Sequence, residues 1–352
     1  MYPLNAWYPA AWSHEIEHAL TARKICNTDL VLYRRTDGVV AALENACWHR
    51  LLPLSMGRLR DDQVICGYHG LVFNSSGRCT FMPAQQTINP SAQVRAYPIS
   101  EKHRLVWVWM GDPALADPAL LPDFHWNDND DWVGEGGTFY DLGCEYRLVI
   151  DNLMDLTHET YVHSDSIGDD NITSASFDVE HTDRTATISR WMLGIEPPPF
   201  WAKQLGRPGT VDRWQVVYFQ APSTVVGQVG VAVAGSGAPE GDKSQGVEGA
   251  FLAAIAPATD TTCHYFWNFV RKFRREDADL TRALNIAHVN GGTGVYDQDH
   301  VVLEAQQKAI SANPRTPFYN LNIDAGALWH ARPSIACAQT ITRGARRLEH
   351  EA

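Results

Sequence analysis

Four residues near position 50 have the types and the spacing of a metal site. One residue separates Cys47 from His49, two residues separate Cys66 from His69, and 16 residues lie between the two pairs. Thiolate and imidazole are common ligands of transition metals, and two such pairs this close together are improbable by chance. The sequence therefore predicts a metal site built from two loops, each of which supplies one sulfur and one nitrogen ligand.

The mixed pairing discriminates between the metals that this ligand set could bind. Zinc is the usual ion for two cysteines and two histidines, but zinc fingers normally place Cys with Cys and His with His along the chain. Two mixed pairs suit a Rieske [2Fe–2S] cluster, in which one iron binds both thiolates and the other binds both imidazoles. Such clusters have potentials of roughly −150 to +300 mV. We therefore expect an electron-transfer cluster, with structural zinc as the alternative.

A second group of possible ligands lies in DNLMDLTHETYVH (151–163), which contains Asp155, His158 and His163. The apolar spacing predicts one helix over CEYRLVIDNLMDLTHETYVH (144–163), on which Asp155 and His158 share a face. His158 and His163 are five residues apart, which is roughly 140° around a regular helix. If both histidines bind one ion, we expect a distorted helix with a π-type turn.

Two imidazoles and one carboxylate leave positions open on iron, as in the facial triad of non-haem Fe(II) oxygenases. The carboxylate must come from elsewhere in the chain. The acidic, helix-like segment VYDQDHVVLEAQQ (295–307) offers Asp297 and Asp299, and the pattern alone does not separate them. For either histidine taken alone, a hydrogen-bonded position on a helix face is the alternative.

The elements that must position these residues change character along the chain. The first third is dense in β-like runs separated by turn residues, which predicts antiparallel sheet. These runs are ICNTDLVLYRR (25–35), VVAALEN (39–45), QVICGYHGLVF (63–73) and RLVWVWMG (104–111). Alternation in the last run places Trp107 and Trp109 on one strand face, in the core. The proline-rich segment GDPALADPALLPDF (111–124) predicts a domain boundary, and helix-like segments mixed with β-like runs follow it.

Composition excludes several classes of function. The 352 residues carry a formal net charge of −12, which argues against binding to nucleic acids or anionic membranes. No apolar run is long enough to span a bilayer, and the opening MYPLNAWYPAAW lacks the regions of a secretory signal. The seven cysteines do not suggest a disulfide scaffold. We therefore expect a cytoplasmic protein with no nucleic-acid or membrane partner.

Together the motifs resemble those of the Rieske non-haem iron oxygenases, a family of ring-hydroxylating and O-demethylating enzymes. CGYHG (66–70), HR (49–50) and PLS (53–55) match the Rieske domain, although Trp48 stands where proline is usual and Leu51-Leu52 where small residues are common. Several other segments are similar to O-demethylases of methoxybenzoates: MYPLNAWY, DNLMDLTHETYVH, PPFWAKQL with VDRW, and LNIDAG (321–326). The resemblance therefore covers nearly the whole chain.

The resemblance implies an α+β fold with two domains. An antiparallel-β Rieske domain would comprise residues 1–115, and its cluster ligands would be Cys47, His49, Cys66 and His69. A catalytic domain over residues 116–352 would have a central antiparallel sheet flanked by helices, with a mononuclear iron bound by His158, His163 and a late acid. The family's late acid stands five residues before a glutamate, here Glu304, which selects Asp299 over Asp297.

Further roles follow from the same resemblance. Asp155 would link an iron ligand of one subunit to a Rieske histidine of its neighbour, which implies a homotrimer. Asn152 would line the iron site. His264, in TTCHYFW, stands at a position like that of a substrate-binding histidine, with a core or surface histidine as the alternative.

The implied activity is that of the terminal oxygenase of a multicomponent monooxygenase. NADH electrons would arrive through a separate flavin and [2Fe–2S] reductase, since this chain has no dinucleotide-binding fingerprint. With O2, a methoxybenzoate such as vanillate would yield protocatechuate and formaldehyde. Alternative substrates are syringate, veratrate, a dicamba-like acid or a methyl-substituted aromatic acid. A Rieske electron carrier and a zinc-stabilised binding protein remain as other classes of function.

Overall fold

The computed structural model describes residues 2–134, 138–288 and 294–325. The chain divides into a first compact unit, Met1–Leu121 with Ala256–Asp260, and a second, Pro122–Ile255 with Thr261–Ala352. The division after Leu121 falls inside the proline-rich segment, a few residues beyond the expected boundary after residue 115. The end of the predicted catalytic domain, 326–352, including Gly326 of LNIDAG, lies outside the described residues.

The first unit contains three small sheets. Its strands are β1 Ala6–Trp12, β2 Thr21–Ile25, β3 Thr28–Arg34, β4 Val40–Glu44, β5 Arg58–Arg60, β6 Gln63–Ile65, β7 Val72–Phe73, β8 Cys79–Phe81, β9 Ala96–Tyr97, β10 Ile99–Lys102 and β11 Leu105–Met110. The sheet orders are β1-β11-β10, β2-β3-β4-β9 and β5-β6-β7-β8. Paired strands run antiparallel throughout these sheets, as the β-like runs predict.

Alternation along β11 explains why this strand is buried on both faces. Val106, Val108 and Met110 belong to one apolar cluster, which also includes side chains of β1. On the other face Trp109 packs against Trp7 with ring centroids 5.3 Å apart. Trp107 is also fully buried, so the predicted core position of both indoles is confirmed.

The second unit is organised around one seven-stranded sheet. Its strands are β12 Thr138–Leu142, β13 Phe177–His181, β14 Thr185–Ile195, β15 Val211–Gln220, β16 Thr224–Val233, β17 Gly246–Thr259 and β18 Thr262–Arg271. They follow the order β12-β18-β17-β16-β15-β14-β13. The predicted strand and loop over 229–251 correspond to the end of β16, the connection and the start of β17.

Six helices occur in the described part of the second unit: α1 Tyr146–Met154, α2 Glu159–Val162, α3 Asn171–Ser174, α4 Pro199–Leu205, α5 Ala278–His288 and α6 Val295–Ala312. Together with the sheet they confirm the expected α+β architecture. Within the described ranges, no helix is both long and apolar enough to cross a bilayer.

Candidate metal centres

The two Cys-His loops of the first unit share one backbone conformation. In each loop the cysteine amide donates to the carbonyl five residues later, and the cysteine carbonyl accepts from the amide four residues later. The distances are 2.9 Å for Cys47 N to Leu52 O, 2.9 Å for Leu51 N to Cys47 O, 2.8 Å for Cys66 N to Leu71 O and 3.1 Å for Gly70 N to Cys66 O. The residue four positions after the cysteine has positive φ, 59° at Leu51 and 75° at Gly70. The second loop meets this requirement with glycine, whereas leucine is strained there.

These loops group the four predicted cluster ligands by type. The thiols of Cys47 and Cys66 are buried and in hydrogen-bonding contact. The imidazoles of His49 and His69 are exposed, with their Nδ1 atoms 3.1 Å apart. Burial raises the pKa of the Cys47 thiol to about 11, so a bound cation is needed to hold it as thiolate. Paired thiols beside paired imidazoles fit a [2Fe–2S] cluster with two sulfur ligands on one iron and two nitrogen ligands on the other.

The two loops that carry the imidazoles also carry exposed apolar and aromatic side chains. Tyr68 stacks on His69 with ring centroids 3.8 Å apart and is 63% exposed. Leu51 is 73% exposed and Trp48 is 39% exposed. Trp48, in the usual place of proline, is thus only partly covered within the chain itself.

In the second unit, the segment that carries the two histidines is broken, and the predicted single helix is wrong. Helix α1 ends at Met154, and Asp155 has extended backbone angles (φ −116°, ψ 93°). The Asp155 carboxylate accepts the Thr157 amide at 2.9 Å and caps a 3₁₀ turn, Leu156–His158, which runs directly into α2. The distortion is therefore a break before His158, where a side-chain cap replaces a helical hydrogen bond, and the expected π-type turn does not occur in this described segment.

This break lets three side chains converge on one point. The ligand atoms of His158, His163 and Asp299 all lie within 4.8 Å of one another. Asp299 Oδ1 lies 3.4 Å from His158 Nε2 and 3.2 Å from His163 Nε2. His163 and Asp299 are buried, whereas His158 is partly exposed. Two neutral nitrogens and one carboxylate oxygen form the donor set of a non-haem Fe(II) site.

Hydrogen bonds on the far side of each ring fix its orientation. His158 Nδ1 donates to the Asp155 carbonyl at 2.6 Å, and His163 Nδ1 donates to Gln298 Oε1 at 2.7 Å. Each ring therefore directs Nε2 at Asp299, in the tautomer that a metal requires. His163 Nε2 is buried and lies 3.2 Å from Asp299 Oδ1, as expected for a ligand atom. The sequence analysis did not identify Gln298, and its only signal was its position beside Asp299.

The electrostatics of the triad favour a bound cation. Burial would raise the pKa of Asp299, but hydrogen bonds from the two histidines outweigh burial and lower it to about 2. Burial lowers the pKa of His158, but the hydrogen bond and negative charge of Asp299 and the hydrogen bond to the Asp155 backbone together outweigh burial and raise it to about 9. Without metal the site thus takes up a proton beside the carboxylate, and a divalent cation can replace that proton.

The structure separates the two acids that the sequence pattern left open. Asp299 faces the histidines and accepts a hydrogen bond from Asn152 Nδ2 at 3.2 Å. Asp297 accepts from the Tyr140 hydroxyl at 2.8 Å and from the Gly294 amide at 3.1 Å. Asp297 is therefore part of the N-terminal cap of α6, and Asn152 orients the carboxylate of Asp299.

Helix α6 is held in place by two further contacts beyond Asp299. Glu304 Oε1 accepts the Gly143 amide at 2.8 Å, and Gln307 Oε1 accepts the Glu145 amide at 2.8 Å. A Cβ atom at position 143 would lie 2.7 Å from Glu304 Oε1, so this approach requires glycine. These bonds join α6 to the start of α1, which carries Asn152.

A cavity of about 130 Å³ opens beside the triad. Apolar side chains from α1, α4, β16, β17 and β18 line most of it. Its polar wall is formed by Glu159, Arg213 and Gln215, which are all buried. Such a cavity, apolar with a few convergent polar groups beside a metal site, suits a small aromatic ligand.

His264 does not reach this cavity. Phe269 of the same strand lines the cavity, and side chains an odd number of positions apart on a strand point to opposite faces. His264 Nδ1 instead contacts Asp141 Oδ1 at 2.5 Å. The structure thus places His264 beside Asp141 of β12.

Asp155 lies in a second, acidic pocket on another side of His158. Its lining includes Asp151, Asp324 and Glu145, together with Arg147. Burial, opposed by Arg147 and reinforced by Asp324, raises the pKa of Asp151 to about 7. His158 therefore lies between the apolar cavity and a negatively charged pocket.

Comparisons with known proteins agree with both centres. Residues 6–98 match the family model of the Rieske [2Fe-2S] domain, and residues 142–337 match that of the vanillate O-demethylase oxygenase C-terminal domain. The vanillate O-demethylase oxygenase subunit of Pseudomonas sp. strain HR199 is 41% identical over 337 residues, or 94% of each chain. The corresponding subunit of Pseudomonas sp. strain ATCC 19151 is 44% identical over 314 residues, covering 88% of this chain and 93% of that one.

A solved structure has the same fold over nearly the whole length. Dicamba monooxygenase bound to 3,6-dichlorosalicylic acid superimposes with a TM-score of 0.88 and 32% sequence identity, covering 97% of this chain and 99% of that chain.

Proposed function

Because the chain belongs to the Rieske non-haem iron oxygenases, we propose that it O-demethylates a methoxybenzoate, with vanillate as the leading substrate. Its cofactors are a Rieske [2Fe–2S] cluster and a mononuclear iron. The observation that carries the proposal is the identity of 41% to a vanillate O-demethylase oxygenase subunit across 94% of both chains. The apolar cavity beside the iron triad supports it, since an aromatic ring fits such a lining.

We assign the metal ligands as follows: Cys47, His49, Cys66 and His69 hold the cluster, and His158, His163 and Asp299 hold the iron. The pairing of thiols with thiols and imidazoles with imidazoles supports the first set. The shared contact of both Nε2 atoms with Asp299 supports the second. In this assignment Asn152 orients the Asp299 carboxylate.

The proposed reaction consumes one methoxybenzoate, O2, NADH and a proton, and yields the phenol, formaldehyde, water and NAD⁺. Bound iron supplies the oxygen activation that hydroxylates the methoxy carbon. The resulting hemiacetal then breaks its bond between carbon and the ring oxygen. The protein residues orient the ligands and keep the methoxy group in an apolar, water-poor cavity.

The family consists of oxygenase components that receive electrons from a reductase. We propose that the partner here is a separate flavin and [2Fe–2S] reductase, and that both proteins are cytoplasmic. We further propose a Rieske domain over 1–115, a catalytic domain over 116–352, and a homotrimer in which Asp155 connects one subunit's iron site to its neighbour's cluster. The acidic pocket at Asp155 and the arginine beside the exposed imidazoles, Arg50, support such a contact by their opposite charges.

Two measurements test the proposal. The purified protein should contain three irons per chain, two of them in a cluster with a Rieske-type spectrum; two irons would indicate an electron carrier, and zinc a structural site. With a surrogate reductase, NADH and O2, vanillate should release formaldehyde. Syringate, veratrate and dicamba are the alternative substrates, and no formaldehyde from any methoxybenzoate would refute the proposed activity.

The homotrimer and the role of Asp155 have a separate test. Asp155→Asn should retain both metals, because His158 binds the backbone carbonyl of residue 155. It should slow electron transfer from cluster to iron in single-turnover experiments, because a neutral amide is a weaker partner for the Rieske histidine of the neighbouring subunit. Unchanged single-turnover kinetics, or a monomeric mass in solution, would contradict this part of the proposal.

A further inference from the structure

We infer that the polar wall of the cavity receives a hydrogen-bond donor of the substrate, a free hydroxyl on the ring carbon next to the methoxy group. Glu159 is the main acceptor and Gln215 the second. This inference rests on the proposed function, which it narrows to methoxybenzoates with a hydroxyl beside the methoxy group. The wall formed by Glu159 and Gln215 then recognises the hydroxyl group of the substrate and not its carboxylate.

Glu159 has an oxygen available for such a bond. It follows the iron ligand His158 directly, lines the cavity and is only 5% exposed. Its Oε2 accepts both protein hydrogen bonds, from Arg213 Nη2 at 3.1 Å and from Gln215 Nε2 at 2.8 Å. Its Oε1 accepts none from the described residues. A carboxylate oxygen of a buried residue that has no donor gains a strong, charge-assisted bond from a ligand that brings one.

Gln215, which lines the same cavity, has a second acceptor without a donor. Its amide orientation is fixed, because Nε2 must be the atom that donates to Glu159 Oε2. Its Oε1 therefore faces elsewhere, and this atom is buried with no hydrogen-bond partner in the described part of the chain. Two acceptors without donors are a poor receptor for an anion and a good one for a hydroxyl.

Arg213 is the only arginine or lysine among the described residues that line the cavity, but its charge is already balanced. Its Nη2 binds Glu159 and the Ile167 carbonyl, the latter at 3.1 Å. Its Nη1 lies 3.5 Å from Asp169 Oδ2. With Glu159 on one side and Asp169 on the other, the Arg213 guanidinium has no uncompensated charge to offer a substrate carboxylate.

The position of this wall matches one part of the proposed substrate. The methoxy carbon must approach the iron ligands, and Glu159 is the neighbour of His158 in the chain. A hydroxyl on the adjacent ring carbon can therefore reach Glu159 while the methoxy group faces the triad. In vanillate the carboxylate lies across the ring from this hydroxyl, so it points away from the wall formed by Glu159 and Gln215.

Binding of non-reactive analogues tests the inference without turnover. Calorimetric titration of the holoenzyme should show 4-hydroxybenzoate binding about 10- to 100-fold more tightly than benzoate, the range expected for a hydrogen bond to a charged acceptor. In Glu159→Gln this preference should fall at least fivefold. The surface variant Glu180→Gln should retain the preference in full. Equal affinity of the two analogues for the wild-type protein would overturn the inference.

Turnover separates this inference from the proposed function. The wild-type enzyme should show a kcat/KM for vanillate about 10- to 100-fold above that for 3-methoxybenzoate, which lacks the hydroxyl, and for veratrate, in which the hydroxyl is methylated. Comparable values for all three would refute hydroxyl recognition but leave O-demethylation intact. Absence of formaldehyde from all three would refute the proposed function itself.

A second variant covers the case in which Glu159→Gln fails to fold or loses iron. Gln215→Leu leaves Glu159 and its bond to Arg213 in place, and removes the second acceptor together with the hydrogen bond from Gln215 Nε2 to Glu159 Oε2. It should lower the preference for vanillate over 3-methoxybenzoate at least twofold while the Rieske spectrum and the iron content stay at wild-type values. An unchanged preference in a metal-replete Gln215→Leu enzyme would exclude Gln215 from the site.

Discussion

Replacing Gln298 with leucine should weaken binding of the mononuclear iron and leave the Rieske cluster intact. Gln298 Oε1 accepts the Nδ1 hydrogen of His163 at 2.7 Å, and His163 is only 1% exposed. Leucine has a similar size but no acceptor. The variant therefore leaves a buried imidazole N–H unpaired and removes the contact that directs Nε2 toward Asp299.

The size of the effect follows from that one hydrogen bond. An unsatisfied buried donor costs about 1 to 3 kcal/mol, which corresponds to about 5- to 150-fold in affinity. Replacement of an outer partner of a metal-binding histidine typically costs about 10- to 100-fold in metal affinity. We therefore expect the Kd for Fe(II) to rise about 10- to 100-fold in Gln298→Leu.

Competition for Fe(II) against a calibrated chelator measures this change, and the visible spectrum reports the cluster in the same sample. Gln298→Glu is the matched control, because glutamate retains an acceptor at the same reach and should bind iron at least as tightly as the wild type. If Gln298→Leu bound Fe(II) with wild-type affinity and an intact cluster, the orienting role of Gln298 would be wrong.

Three further predictions concern other parts of the chain. Asp299→Asn should abolish iron binding and turnover, whereas Asp297→Asn should retain iron. The iron content of the two purified variants measures this difference. The reverse result would make Asp297 the iron ligand and Asp299 the helix cap. Leu51→Gly should stabilise the first unit by about 1 kcal/mol, because φ is 59° there and glycine adopts this angle without strain. Denaturant unfolding followed by cluster absorbance measures this gain. An equal gain in Leu51→Ala would show that strain is not the cause. The pKa of Asp151, raised from 3.8 to about 7, penalises the folded state progressively as pH rises from 4 to 7 and fully above 7. Asp151→Asn should therefore be more stable than the wild type by about 2 to 4 kcal/mol at pH 8 and by less than half of that at pH 5. Asp170→Asn, at an exposed position, is the control. A gain in stability that does not depend on pH would contradict the raised pKa of Asp151.

The grouping of the cluster ligands could be predicted from the sequence because it depends on short-range spacing. Cys47 with His49, and Cys66 with His69, are each held by one tight loop, so ligand type and spacing carry most of the information. The strain at Leu51 was not predictable, since positive φ at this position follows from a hydrogen-bond pattern that glycine at 70 accommodates without cost.

The spacing of apolar residues could not predict the break in the helix after Met154. Apolar residues continue at helical spacing through the segment, and the break depends on whether the Asp155 side chain caps the following turn or stays on the helix surface. That choice is decided by contacts distant in sequence. Convergence of His158 and His163 on Asp299 selects the capped form, because a continuous helix would hold the two rings roughly 140° apart.

Contacts between distant segments also explain the choice between the two acids and the position of His264. Asp297 is held by Tyr140, 157 residues away in sequence, and nothing near Asp297 in the sequence indicates that bond. His264 is on a strand whose register against β12 decides which face it occupies, and a sequence run alone does not fix that register.

The five-residue interval between Asp299 and Glu304 sets the register of α6 against the rest of the second unit. Glu304 is anchored on the Gly143 amide and Gln307 on the Glu145 amide, so the helix can neither slide nor rotate without breaking both bonds. Removing one residue between 299 and 304 would turn Asp299 by about 100° and shift it by about 1.5 Å relative to that anchor. The loop before α5 and the loop before β17 can vary in length without this consequence, whereas the stretch from 299 to 304 should tolerate substitutions at 301 and 302 but no change of length.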